Sequence, residues 1–576
     1  MSWFTGIVLK RNILNPRIND FLSRMGEVIY EGDKVVLFGG STAGKNFFSG
    51  AEGAISAWVV SGMGLKSASR GVSFLNKKDW QKKMASHEVP INGHFAIAII
   101  EEENVWLYTD TPGLRDIYIT ELDDKIVFTT RLEHIALFAE LKLDYVHLGS
   151  TWNSINKITE ESIYKGVTRL VKGARAVINL KEGKSDIIKE EWIPQFRERE
   201  EAADEFTDKL SDLVNIEEEE MLLGLSGGMD SRVLLSVLLA SNKINWSAHS
   251  TGRDTDSDFS IPREMAKVLL FPHKTISDEF EFGPDDIEKM EEFSFLTRVN
   301  HPISSYFSLK ITDVLEKENK ILIDGGFGEI WRREYFNRIL WKGRFGLANR
   351  RSDVIAQAIS YDRGDVFIKE ISELLRDSVD YEISMLMVKL PDPVEIGLEN
   401  WVDLFALKTR LVNYYAPEQC RLDGKVINYM PFAQLSLLEK LFEIPLSLRK
   451  NGKLFRQIIK KKARVLTEFP LVKGGRLYPF NSGTLQARIL TRFLKKRGAG
   501  EKGLLSLPFM KEYVMDRIGS ADVRKDAFYD YKKIAIMAER FYDKGERGEG
   551  IALEWWLSFE MSLEYLRKLN KSRGER

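Results

Sequence analysis

The stretch Leu222-Leu223-Gly224-Leu225-Ser226-Gly227-Gly228-Met229-Asp230-Ser231-Arg232-Val233-Leu234-Leu235 constrains the fold more than any other part of the chain. Its first apolar run is too short for a helix and reads as a buried strand. The second, over 231–239, is long enough for a buried helix. Two glycines between them let the backbone turn tightly and come close to a ligand. Amides at the start of a helix point outward and favour anions. The geometry is therefore a phosphate cradle, and not of the Walker type, which needs Gly-x-x-x-x-Gly-Lys-Ser/Thr. In this reading Ser226, Gly227, Gly228 and Ser231 bind phosphate through amides and hydroxyls. Asp230 would hold Mg²⁺, because a hard cation bridging phosphates takes one or two carboxylates plus water. The competing reading is an ordinary strand–turn–helix with an N-cap Ser or Asp.

Downstream the pattern alternates. A strand is expected over 245–250, a helix over 261–270 with Pro262 near its start, a helix over 306–317 and a strand over 320–324. Such alternation argues for a parallel sheet with helices on both faces, whose ligands sit at the carboxyl ends of the strands. That places 226–231, Ser250-Thr251 and 324–329 around one crevice. From about 365 to 570 the chain reads as mainly helical, closing on an amphipathic segment over 551–566 and a frayed end. Before the loop, 201–214 looks like an amphipathic helix, and the charged stretch 181–199 reads as a linker.

Residues 1 to about 130 read mostly as β, and two more strands close the segment after a helical stretch. Strands are expected over 6–9, 34–38, 94–100, 105–108, 116–120, 125–129, 168–171 and 176–180, with helical patterning near 132–141. The pair 116–120 and 125–129 forms a hairpin around Asp123-Asp124. One decoy lies here: Gly39-Gly40-Ser41-Thr42-Ala43-Gly44-Lys45-Asn46 nearly matches a Walker loop. Asn46 stands where a metal-binding hydroxyl is needed, so a flexible hairpin turn is the better reading.

A length of 576 residues suggests more than one domain. A formal net charge of −1 leaves no chain-wide electrostatic footprint for nucleic acid. A single cysteine, Cys420, excludes internal disulfides and cysteine-based zinc or iron–sulfur sites, and fits a reducing cytoplasm. No apolar run reaches about 18 residues, so no membrane span is expected, and no signal peptide is read at the start. The 7 histidines show no metal spacing.

Ser-Gly-Gly-x-Asp-Ser at 226–231 resembles the pyrophosphate loop of ATP pyrophosphatases, which split ATP between its α and β phosphates and adenylate a substrate. Other stretches extend the resemblance to the glutamine-dependent asparagine synthetase family. Gly93-His94-Phe95-Ala96-Ile97-Ala98 looks like the family's Gly-x-Phe-Ala strand, and the segment 110–118 like its Arg-Asp-x-x-Gly-x-x-Pro-Leu-Tyr hairpin. Pro431-Phe432, Ile444-Pro445, Lys453-Leu454-Phe455-Arg456 and Lys473-Gly474-Gly475 follow the order of its C-terminal motifs. The resemblance implies an α+β domain over 1–195, an Ntn-hydrolase-like β-sandwich. An α/β domain over 200–576 would follow, an adenine nucleotide alpha hydrolase-like parallel sheet with a helical C-terminal part. ATP and Mg²⁺ would be bound by Leu225, Ser226, Gly227, Gly228, Asp230, Ser231, Ser250 and Gly325.

The departures are informative. The family's glutaminase uses an N-terminal cysteine directly before Gly-Ile; here Thr5 precedes Gly6-Ile7, and four residues precede Thr5. That chemistry needs a free α-amino group as base, which Thr5 has only if residues 1–4 are removed. The N-terminal domain is therefore read as non-hydrolysing, with processing to expose Thr5 as the alternative. The family's Gly-Glu-Gly-x-Asp-Glu is replaced by Asp324-Gly325-Gly326-Phe327-Gly328-Glu329-Ile330-Trp331. One register puts Gly328 at the second metal ligand, and the other puts Glu329 there; in both, the acid that supports acceptor attack is missing, and Asp324 or Glu329 could stand in. Asp230 and Glu329 are thus the metal candidates, and Lys473, matching the family lysine over the reaction centre, is a catalytic candidate beside Glu329. Asp254, Asp256 and Asp258 read as an exposed loop and helix cap, and His273 carries little weight.

The leading expectation is a cytoplasmic ligase that adenylates a small carboxylate and joins it to ammonia or another amine, without nucleic acid or membrane partners and with room for a homodimer. The alternatives are a catalytically silent ATP-binding scaffold and, against the neutral charge, an RNA-modifying pyrophosphatase.

Overall fold

Alternating side chains divide the N-terminal strands into an inner and an outer face. Phe4 and Val8 face inward, while Trp3 and Ile7 meet Ile18 and Leu22 of the helix Pro16–Met25. The computed structural model describes residues 2–10, 16–41, 45–189, 191–217, 219–241, 245–279, 281–482 and 506–575. The chain is a mixed α/β protein.

Among the described residues, thirteen strands precede residue 190: β1 Trp3–Leu9, β2 Glu27–Glu31, β3 Val35–Gly40, β4 Phe47–Glu52, β5 Ile55–Ala68, β6 Gly71–Phe74, β7 Gly93–Ile100, β8 Asn104–Thr109, β9 Ile117–Glu121, β10 Lys125–Thr129, β11 Thr168–Leu170, β12 Arg175–Asn179 and β13 Lys184–Ile188. They form one sheet in the order β11-β9-β10-β1-β3-β2 and a second in the order β13-β12-β8-β7-β5-β4, with β6 paired to β5. The two inner faces share a core that includes Phe4, Leu37, Ala57, Ala96 and Phe128. Trp80 and Met84 of the helix Lys77–Ala85 cover the outer face of the second sheet. The result is a helix–sheet–sheet–helix stack.

Several expectations need correction here. β5, the longest strand, escapes a periodicity reading because Gly62 and Gly64 interrupt its apolar run. Gly62 has φ +115°, and a Cβ there would lie 2.1 Å from the His94 carbonyl oxygen, so the close approach of β7 requires glycine. For the stretch 39–46, read as a hairpin turn, the strands on either side belong to different sheets, β3 to one and β4 to the other; residues 42–44 lie outside the described residues. The stretch read as a linker contains β13, and Trp192, Ile193 and Phe196 beyond it pack on the C-terminal core. The helix expected over 132–141 is only Leu132–Ile135.

The C-terminal half is built on a parallel sheet of β14 Met221–Gly224, β15 Trp246–Thr251, β16 His273–Ile276, β17 Ile321–Ile323 and β18 Asn428–Tyr429, in the order β16-β15-β14-β17-β18. Met221 and Leu223 face the helix Met229–Ala240, whereas Leu222 and Leu322 face Leu315 and its neighbours, so helices cover both sides as the alternation requires. β16 and β18 were not legible as strands: the first is His-Lys-Thr-Ile and the second only two residues. The helix Ser257–Leu269 begins before the expected 261, leaving Pro262 in its second turn. The long helix Arg547–Glu575 extends well beyond the expected 551–566. No described helix is long and apolar enough to cross a membrane.

Glu554 in that last helix is 3% exposed and accepts the Ser304 amide at 3.0 Å. Burial pushes its carboxyl up to about 7, against the pull of Ser304. The folded pKa lies above the unfolded one, so this group's contribution to stability is present at low pH and is lost as pH rises from about 4.5 to about 7. Glu554→Gln keeps the acceptor and removes the titration. Thermal melts across pH 4–8 should show the wild type losing up to about 3 kcal/mol relative to the variant; parallel pH profiles for the two proteins would discard the assignment.

Candidate functional site

β14 lies at the centre of the parallel sheet, and its carboxyl end runs directly into the 226–231 loop. Leu225 donates its amide to the His249 carbonyl at 2.8 Å. Ser250 donates its hydroxyl to the Leu225 carbonyl at 2.6 Å and lies 2.9 Å from His273 Nε2. These bonds tie the end of β14 to β15. Gly228, extended at φ −73° and ψ 178°, precedes the first turn of the helix Met229–Ala240. Three loop amides are held by side chains. Ser226 N–H donates to Ser231 Oγ at 3.1 Å, and Gly228 N–H donates to Ser226 Oγ at 3.2 Å. Gly227 N–H donates to Asp258 Oδ1 at 3.2 Å. Asp258, read from sequence as part of an exposed cap, thus reaches the loop itself, while Asp254 pairs with Arg263 and Asp256 is buried and caps the Arg253 amide.

The loop after β17 packs against this turn. A Cβ on Gly325 would lie 3.0 Å from the Ser231 nitrogen, and one on Gly328 would lie 2.6 Å from Asp230 Cγ. Asp230 fills the space a side chain at 328 would need, and the start of the helix crowds position 325. Gly328 therefore abuts Asp230. Glu329 accepts hydroxyl hydrogen bonds from Tyr335 at 2.9 Å and Tyr415 at 3.3 Å. Phe327, at φ +67°, is held between those tyrosine rings, and a left-handed aromatic is uncommon outside constrained sites. Asp324 accepts the Gly326 amide at 2.5 Å, and burial raises its carboxyl above the ordinary range.

Asp230 itself is paired with a cation from its own chain. Arg332 donates Nε to Oδ1 at 2.7 Å and Nη2 to Oδ2 at 2.6 Å. Burial pushes the Asp230 carboxyl up to about 6, and Arg332 works against that shift. Arg332 also donates to Glu334 at 2.6 Å, and Glu334 in turn accepts from Lys473 at 2.9 Å. A chain of alternating charge runs from the half-buried Asp230 to the exposed Lys473. Both Asp230 oxygens are occupied by one guanidinium, and Glu329 by two phenols. No set of three His, Cys, Asp or Glu among the described residues is arranged to hold a metal ion. The donor set does not fit a resident Mg²⁺.

A two-stranded hairpin, β19 Leu471–Lys473 and β20 Arg476–Tyr478, covers the loop. Val472 donates its amide to the Gly227 carbonyl at 2.9 Å, and a Cβ on Gly227 would lie 2.2 Å from Val472 Cγ2. Arg232, fully buried, fastens the approach to the hairpin by donating to the carbonyls of Leu466, Phe469 and Pro470 as well as Gly227. Burial lowers its guanidinium to about 10. Arg332, Glu334 and the Tyr335–Tyr415 pair carry no local sequence signal and reach the site from distant segments; Arg232 directly follows the loop, but its carbonyl partners at 466–470 are distant, as Asp258 is from Gly227.

Thr5 lies in mid-strand with no exposed surface. Its Oγ1 is 2.8 Å from Thr129 Oγ1 and 2.6 Å from His134 Nδ1, and burial holds His134 well below its ordinary pKa. Trp3 and Phe4, which removal of residues 1–4 would take away, are buried parts of the same strand. Within the segment 110–118, a tight turn gathered by Asp110 leads into β9. Asp110 accepts the amides of Gly113 and Leu114 on one oxygen and of Phe95 and Arg115 on the other, and the Arg115 side chain is spent on Asp423.

No family model matches the chain, and no curated protein matches it. Among solved structures, it is similar to glutamine phosphoribosylpyrophosphate amidotransferase from B. subtilis, complexed with ADP and GMP, at 13% identity and a TM-score of 0.19. That similarity covers 47% of this chain and 65% of the other, which is less than two thirds of its length. At that TM-score it carries no argument.

Proposed function

We propose that this chain is an ATP-dependent ligase of the asparagine synthetase type. It cleaves ATP to AMP and pyrophosphate, adenylates a small carboxylate, and joins the acyl group to ammonia or another amine. The observation that carries this reading is the 226–231 loop, which joins the carboxyl end of the central parallel strand to a helix start, its amides held by exchangeable side-chain acceptors. On binding, phosphate oxygens replace Ser231, Ser226 and Asp258 as acceptors of the loop amides. A carboxylate oxygen of the substrate then attacks the α-phosphorus, and pyrophosphate leaves. The amine attacks the acyl carbon and AMP departs. Glu329, positioned by its two tyrosines, takes the proton the amine sheds. Lys473, released from Glu334, offsets the charge that develops on the departing group.

The four-layered N-terminal half supports an Ntn-hydrolase-like ancestry, and buried Thr5 supports a version that no longer hydrolyses glutamine. Free amine then comes from solution. A second reading, a nucleotide-binding protein without turnover, is favoured by one observation: Asp230 is closed off by Arg332.

Isotope exchange of pyrophosphate into ATP, run against a panel of small carboxylic acids, separates the two. Exchange with at least one acid, reduced about 100-fold or more in Asp230→Ala, is the expected result for the ligase. Nucleotide binding without exchange for any acid would leave the silent reading standing and remove the first.

A further inference from the structure

Three cationic side chains gather over the pyrophosphate loop, and the chain's own carboxylates engage two of them. Arg332 holds Asp230 with two nitrogens and Glu334 with a third. Lys473 holds the same Glu334 from the hairpin above. Arg456 stacks over the Phe480 ring at 5.3 Å, and its Nη1 is buried with no hydrogen-bond partner among the described residues. Burial and the neighbouring charge of Arg332 pull the Arg456 guanidinium below its ordinary value, with Tyr478 opposing. A buried guanidinium nitrogen without an acceptor is costly, and it marks a place where an anion belongs.

Glu334 sits where such an anion would. Its carboxylate bridges Arg332 and Lys473, and its side chain is 32% exposed, so it can be displaced into solvent. The metal side of the ledger points the same way. Asp230 is the one carboxylate the loop sequence offers for a cation, and a guanidinium already covers it, with Gly325 and Gly328 shaped around the pair.

We propose that Arg332, Arg456 and Lys473 form a polyphosphate subsite in which arginine supplies the positive charge, so that the pyrophosphate group binds without a divalent cation and Glu334 holds its place until it arrives. This rests on the nucleotide reading of the loop given above. Binding exchanges one bridging carboxylate for phosphate oxygens: Glu334 moves out to water, Arg332 keeps Asp230 and turns its remaining N–H groups to the ligand, and Arg456 gains its missing acceptor. Arginine's fixed fork of donors suits phosphate better than a point charge.

Calorimetric titration of the full chain tests this, with ATP, pyrophosphate and AMP as the probes, first in EDTA and then with Mg²⁺. ATP and pyrophosphate are expected to bind in EDTA within about threefold of their affinity in Mg²⁺, with AMP far weaker. Glu334→Gln, a change at a partly exposed side chain, is expected to tighten pyrophosphate binding about tenfold, because it removes the internal competitor. Arg456→Gln should weaken it by about tenfold or more, as should the paired change Asp230→Asn with Arg332→Gln, which leaves no buried charge unpaired. Glu334→Gln and Arg456→Gln keep the test decisive if the paired variant does not fold. Binding that requires Mg²⁺ and is unmoved by Glu334→Gln and Arg456→Gln would overturn the subsite while sparing the proposed function. No binding of ATP or pyrophosphate under either condition would remove both.

Discussion

Asp423→Ala is expected to destabilise the protein by about 3–5 kcal/mol, because it strands a buried cation. Asp423 is fully buried where the two halves meet. Its Oδ2 pairs with Arg115 and lies 3.0 Å from His94 Nε2, both from the N-terminal sandwich, while Gln419 donates to Oδ1 at 3.3 Å. Burial alone would raise this carboxyl; Arg115 and His94 outweigh it and hold the group below its ordinary range. Removing the carboxylate leaves Arg115, 2% exposed, without its charge partner. Urea denaturation is the measurement. The double change Arg115→Met with Asp423→Ala should lose clearly less than the two single changes added together, since it leaves no orphaned charge. Additive losses would mean that the pair is incidental to the junction.

Arg232→Met should cost a similar amount, about 3–5 kcal/mol, and the two opposing effects can be weighed. Keeping a guanidinium buried without a carboxylate is unfavourable, and the fall to about 10 corresponds to about 3 kcal/mol. Against this stand four hydrogen bonds from a charged donor group to buried carbonyls, each worth about 1.5–3 kcal/mol. The bonds win, and methionine satisfies none of the four acceptors. The loss should be local as well as global. Backbone amides near 466–473 should exchange faster in the variant, because Arg232 is what fastens that approach to the helix Met229–Ala240. Unchanged exchange there, even with lowered stability, would rule out this role.

What could be read in advance follows the range of the interactions. Ser226-Gly227-Gly228 between two apolar runs announces a strand, a turn and a helix, and the chain folds that way because those instructions are local. The alternation downstream is similarly local, and it yields a parallel sheet covered on both faces. The edge strands are another matter. β18 consists of Asn428 and Tyr429 alone, and its pairing with β17 is set by the helices that deliver it. β5 is hidden because Gly62 looks like a break, although it is there to let β7 pass. At the site, glycine at 328 reads as a missing acid until Asp230 is seen filling its space. Arg332 and Glu334 were silent for the same reason: a charge chain spanning Asp230 to Lys473 is a property of the assembled fold, and no window of sequence contains it.

The covering hairpin also sets a timetable. β14 can pair with β15 once the chain has passed Thr251, but β17 begins only at Ile321 and β18 at Asn428. Val472 seals Gly227 only once the chain has grown past residue 472. During synthesis Ser226, Ser231 and Asp258 are therefore the groups at hand to hold the loop amides, while the Gly227 carbonyl waits for its strand partner. An emerging chain carries this turn uncovered at its half-built centre, and the order in which β17, β18 and the hairpin arrive decides when it becomes rigid.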